Sequence, residues 1–126
     1  MAALQRILIR THHMTSRKKI LTITKAAKRF SCAVLLKTGG PPGVMLAEGE
    51  GEGAGEWLEV VRKLRYKDYH LLKREQVTTR GMAIDPGSVV ELTSMKDLGA
   101  FLEGRKDVHA WWRLHMGYAK GDDAPP

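Results

Sequence analysis

Residues 4–37 read LQRILIRTHHMTSRKKILTITKAAKRFSCAVLLK, and the change of apolar period inside this stretch decides the fold. From Leu4 to Thr11 the chain is rich in β-branched residues and alternates. Arg6 and Arg10 fall on one side and Ile7 and Ile9 on the other, which predicts a strand. Thr15 or Ser16 stands where a helix cap is needed. Behind it Ile20, Ile23, Ala27 and Phe30 recur at helical spacing and make one apolar face. Cys32 to Lys37 is then a short apolar strand.

Working outward, residues 38–43 (TGGPPG) have the composition of a turn, and Val44 to Glu48 resumes as a strand, giving a hairpin. Gly49 to Gly55 alternates glycine with acid and reads as a flexible link. Trp57, Val60, Val61 and Leu64 follow the spacing of a second amphipathic helix. Asp68 to Thr79, with Tyr69, Leu71 and Leu72, reads as a fourth strand. The order β-α-β-β-α-β predicts an α+β, ferredoxin-like antiparallel sheet with two helices on one face.

Arg80 to Ser88 is a predicted loop turning at Asp85-Pro86-Gly87, and Val89 to Leu92 adds a short strand. Ser94-Met95-Lys96-Asp97 resembles a capping box, followed by a helix through Leu98, Phe101 and Leu102 that Gly104 breaks. Asp107 to Met116 forms a last short helix. The expected organisation is one domain over residues 1–119 with a C-terminal helical extension, and a flexible tail over 120–126.

The chain has 126 residues, enough for one domain with a real core. No apolar run approaches the roughly 20 residues of a membrane span, so no membrane partner is expected. The single cysteine, Cys32, forms neither an internal disulfide nor a multi-cysteine metal site, which suits a reducing, intracellular setting in nucleus or cytoplasm. Net charge is +7 and unevenly spread: residues 1–47 hold nine Lys/Arg and no Asp or Glu. Such a field attracts polyanions. An Arg-rich, acid-free start also suits a transit peptide, but residues 4–36 supply core, which a removable leader should not.

The familiar motifs of catalysis are missing. His12, His13, His70, His109 and His115 show no metal-ligand spacing. The glycine-rich turn at Gly39 to Gly43 lacks the Lys-Ser/Thr pair of a phosphate loop. No Gly-x-Ser-x-Gly elbow is present, and Cys32 lies in an apolar strand where a thiol is inert packing. Trp57, Trp111 and Trp112 read as core. No enzyme activity, cofactor, metal or small-molecule substrate is expected.

The helix after Ser16 carries Arg17, Lys18, Lys19, Lys25, Lys28 and Arg29 without an acid. A polyanion would relieve their mutual repulsion and release counterions. The βαββαβ order is shared with RNA-recognition motifs, but Ile7-Leu8-Ile9 and residues 44–48 (VMLAE) carry no base-stacking aromatic. Any RNA contacts would therefore be to phosphates.

Several stretches carry a resemblance. Thr11-His12-His13-Met14, with Ser16-Arg17-Lys18-Lys19-Ile20, resembles an S-H-H-I…K-R-K-D-I segment. Gly40-Pro41-Pro42-Gly43-Val44 with Ala47-Glu48-Gly49 is similar to a G-K-P-G-I…V-E-G hairpin. Trp57 with Leu64-Arg65-Tyr66-Lys67 looks like a W…L-x-W-K segment, and Met95 to Leu102 with Asp107 to Trp111 resembles terminal D-x-x-x-L-x-x-F-L…D-x-F helices. Together these resemble the C-terminal domain of unknown function shared by RWD-domain-containing proteins and the spliceosomal pre-mRNA-processing factor three family. That resemblance implies a ferredoxin-like core and, in the splicing factor, binding to a duplex end of RNA and its single-stranded extension. Pro41 departs from the family's Lys. The expected function is non-catalytic RNA binding through His12, His13, Arg17, Lys18, Lys19, Lys25, Lys28 and Lys67. The alternative is a protein–protein interaction module, docking through an open sheet face or the Trp111-Trp112 helix.

Overall fold

The alternation in the first strand works on two faces at once: Ile7 and Ile9 are buried on one side of a sheet and Leu8 on the other. The computed structural model describes residues 3–118 and not the side chain of Lys106. Its elements are β1 (Leu4–Thr11), α1 (Arg17–Arg29), β2 (Ala33–Lys37), β3 (Gly43–Glu50), α2 (Gly51–Lys63), β4 (His70–Val77), β5 (Val89–Leu92), α3 (Met95–Glu103) and α4 (Lys106–Met116). The sheet order is β4-β1-β3-β2-β5. The first four strands are antiparallel, and β5 joins parallel to β2. The expected α+β, ferredoxin-like arrangement is present. The expected tail at 120–126 lies outside the described residues.

α1 and α2 pack on one face. Ile20, Ile23, Ala26 and Ala27 of α1 and Ala54, Trp57, Leu58 and Val61 of α2 share a buried cluster with Ile7, Ile9, Val34, Leu36, Met45 and Ala47. The opposite face is covered too. Leu8, Leu35, Val44 and Leu46 are buried with Leu98 and Leu102 of α3 and Val108, Trp112 and Met116 of α4. The expected open sheet face is therefore absent: the C-terminal helices lie on it as a second layer. Strands buried on both faces read as near-continuous apolar runs rather than alternating ones, and Ala33 to Leu36 is such a run.

Residues 49–55 depart furthest from expectation. They are no flexible link, because β3 runs to Glu50 and α2 begins at Gly51. Two glycines permit close approaches. A Cβ at Gly49 would stand 2.7 Å from Cys32 Sγ, and one at Gly53 would stand 2.5 Å from the Phe30 carbonyl oxygen. Glu48 is fully buried. It accepts from Arg6 Nε at 2.7 Å and from the backbone amides of Gly81 and Met82 at 2.9 and 3.2 Å. That triad ties the 78–88 crossover across β1 and β3.

Candidate functional site

Helix α1 owes its start to Ser16, whose side chain accepts from the Lys19 amide at 3.2 Å. Its buried stripe turns the basic residues outward. Lys18, Lys25, Lys28 and Arg29 are exposed, and Leu21 stands among them with 52% of its surface open. Between α1 and α2 runs a groove of about 190 Å³, lined by Thr22, Lys25, Ala26, Arg29, Phe30 and Val60. The Arg29 guanidinium carbon stacks 5.1 Å from the centre of the Phe30 ring.

The expected site residues divide into two groups. His12, His13 and Lys67 meet at one end of the sheet: the His12 amide donates to the Lys67 carbonyl at 2.9 Å, and His12 Nδ1 lies 3.6 Å from Asp68 Oδ2. Lys25 and Lys28 sit on the later turns of α1, away from that end. Arg17 is not the unneutralised cation expected. It makes a two-pronged contact with Glu91 at 2.6 and 3.0 Å, and Glu91 also accepts from Thr38 at 2.8 Å. The Arg17 hydrogen bond is the main reason the Glu91 carboxyl is held below its ordinary range. Lys19 Nζ lies 4.8 Å over the Tyr66 ring. Leu21 carries no signal in the charge pattern, and Arg29, though one of the basic residues of α1, stands outside the expected site. Arg29, four residues after Lys25, had the helical spacing to be found.

A second charged feature was not foreseen. Arg6, Arg80 and Arg105 line one cleft of about 260 Å³ with Thr79, Gly81 and Asp107. Arg6 is only 7% exposed, and Arg80 Nη1 is buried without a hydrogen-bond partner. A third cleft, of about 510 Å³, is shared by Arg29, Ser31, Glu50, Glu52 and Arg80.

Burial pushes the Cys32 thiol up to about 11 despite the nearby Arg80 charge, so it is a poor nucleophile. Burial likewise raises Tyr66 to about 12. Among the described residues no three His, Cys, Asp or Glu side chains converge to hold a metal, and no helix is long and apolar enough to cross a membrane.

No family model matches the chain, and no curated protein sequence matches it. Solved structures do. BlrB, a BLUF protein in its dark state, shares 18% identity over 96% of this chain and 98% of that one, with a TM-score of 0.64. The BLUF domain of BlrP1 shares 15% identity over 96% of this chain and 93% of that one, with a TM-score of 0.65. Klebsiella pneumoniae BlrP1 with FMN and cyclic diGMP shares 12% identity over 93% of this chain and 37% of that one, with a TM-score of 0.63. At these identities the fold is what is shared. The matches overturn the resemblance to the RWD-associated and splicing-factor domain. The RNA-binding reading that rested on it falls with it. The structure adds a physical reason: Arg17 is paired with Glu91 and Lys19 Nζ lies over the Tyr66 ring, so two of the expected phosphate contacts are already engaged.

Proposed function

We propose that this domain is a non-catalytic protein-docking module whose α1 face takes an acidic, amphipathic segment of a partner. The carrying observation is the surface around Leu21. Lys18, Lys25, Lys28 and Arg29 have no carboxylate within 4.0 Å among the described residues. They surround an exposed leucine and a groove floored by Ala26, Phe30 and Val60. An apolar floor with a cationic rim suits a helix that places leucines inward and carboxylates outward. The same fold serves as one part of longer proteins: the match spans 36% of a bacterial light-regulated adenylyl cyclase. That usage supports a role in communicating with another domain.

The test is fluorescence anisotropy with a labelled 15-residue peptide carrying Leu at i, i+3, i+4 and i+7 and Glu elsewhere. Saturable binding that persists at physiological salt is expected. Lys25→Glu with Arg29→Glu should weaken it roughly tenfold. Equal binding of a peptide with Ser for every Leu, or tighter binding of an equally charged RNA, would sink the proposal.

One matched structure contains FMN, but the residues of this chain do not fit that group. The apolar sheet side chains buried with α1 and α2 are Ile7, Ile9, Val34, Leu36, Met45 and Ala47, none of which can hydrogen-bond a flavin edge. Two polar atoms buried in this layer, Trp57 Nε1 and Tyr66 Oη, have no partner, and neither belongs to a sheet residue. The groove above it encloses about 190 Å³, below the roughly 300–1,000 Å³ of ordinary ligand clefts. The larger 510 Å³ cleft sets Glu50 and Glu52 against Arg29 and Arg80, so it offers a phosphate no net positive charge. We predict a colourless protein whose melting temperature moves by less than about 1 °C in excess FMN. A yellow preparation, or a clear FMN-dependent rise, would refute this.

A further inference from the structure

We infer that the cleft between β1, the 78–88 crossover and the start of α4 binds a small tetrahedral oxyanion, of the phosphate or phosphomonoester class. Three arginines line it, Arg80 being shared with the 510 Å³ cleft and Arg6 also stacking 5.3 Å over the Trp111 ring, and their partners leave several N–H donors unused. Arg6 spends its Nε on Glu48 at 2.7 Å, while its Nη2 reaches the Thr79 carbonyl only at 3.5 Å, the limit of a hydrogen bond. Arg80 Nη1 is shut away from water with no acceptor. A buried donor left unpaired is costly, and the ordinary remedy in a polar cleft is a water or an ion. Arg105 is exposed at the rim, and neither it nor Arg80 has a carboxylate within 4.0 Å among the described residues.

Backbone charge adds to this. Arg105 is the N-cap of the 11-residue α4 and makes no side-chain cap bond. The first amide bonded back to the Arg105 carbonyl is that of His109, so the amides of residues 106–108 lack intrahelical acceptors. Glu48 neutralises Arg6, and Asp107 is the carboxylate on the rim, so Arg80 and Arg105 leave the cleft positive. A volume of about 260 Å³ admits a phosphate group with some water and falls short of a nucleotide-sized ligand. This site is separate from the α1 docking face and does not depend on it.

The test uses the intact protein in calorimetric titration and thermal melts, with inorganic phosphate and phenyl phosphate as separate probes and chloride holding ionic strength constant. Saturable phosphate binding with a rise in melting temperature is expected. Arg80→Gln and the surface change Arg105→Gln should each weaken it about tenfold or more, and Asp107→Asn should tighten it. Binding of both probes assigns the site to an ester-linked phosphate, and binding of inorganic phosphate alone to the free ion. A phosphate response no larger than that of chloride, or affinity unchanged in Arg105→Gln and Asp107→Asn, would overturn the inference. Arg105 and Asp107 are both exposed, so the test holds even if Arg80→Gln does not fold.

Discussion

Replacing Glu48 by Ala is expected to lower the free energy of unfolding by about 3–5 kcal/mol, read from urea denaturation. The side chain is fully buried and accepts from Arg6 Nε and from the amides of Gly81 and Met82. Removing it strands a guanidinium that is 7% exposed and leaves two backbone donors without acceptors. Each is a separate penalty, and the buried unpaired charge is the larger. Against a total stability of roughly 5–15 kcal/mol, such a loss places the domain near its folding threshold.

The conservative series apportions the loss. Glu48→Gln keeps an oxygen for the Gly81 and Met82 amides but turns an amide donor or a weaker acceptor toward Arg6. An intermediate cost is expected, on the order of 1–3 kcal/mol. Adding Arg6→Met to Glu48→Gln removes the unpaired charge and should recover part of it, giving a favourable coupling in the double-mutant cycle. Strict additivity of the two changes would mean that Arg6 and Glu48 do not act as a pair.

The order of elements was legible in the sequence because it rests on local periods. β1, α1, the β2–β3 hairpin and α2 each show an apolar stripe of the right spacing, and Ser16 marks a helix start in both readings. What lay beyond reach depends on distant partners. Glu48 in a run of alternating acid and glycine looks solvated, and nothing nearby tells that Arg6, 42 residues earlier, faces it. Arg17 looked free until β5 brought Glu91 to it from 74 residues away. The second layer over the sheet was hinted at by the apolar runs of β2 and β3. Their meaning depends on helices whose docking site no local pattern encodes. The mistaken family resemblance has a similar source. His12-His13, Gly40 to Gly43 and Leu64 to Lys67 all lie at element ends, where turns and helix boundaries favour a restricted set of residues in any βαββαβ chain. Of the expected site, the basic surface of α1 was legible because charge composition is local. The arginine cleft was not, since β1, the crossover and α4 meet there only in three dimensions.

Trp57→Ala should cost about 3–5 kcal/mol, while Trp57→Phe should cost less than about 2 kcal/mol. Trp57 is fully buried in the layer that holds α1 and α2 on the sheet. Truncation to Ala leaves a cavity that the surrounding Ile, Val and Met side chains can close only in part. The indole Nε1 has no hydrogen-bond partner, so Phe gives up no bond and removes a buried, unsatisfied donor. The pair of variants therefore separates packing from polarity at one position. It also bears on function, because the docking face and the exclusion of FMN both depend on this layer being filled. Phe at position 57 should leave acidic-peptide binding intact. Ala should weaken it only under conditions where part of the protein is unfolded. A nearly neutral Trp57→Ala would mean that the layer between the sheet and the two helices is loosely packed. The steric part of the argument against a seated flavin would then fail with it.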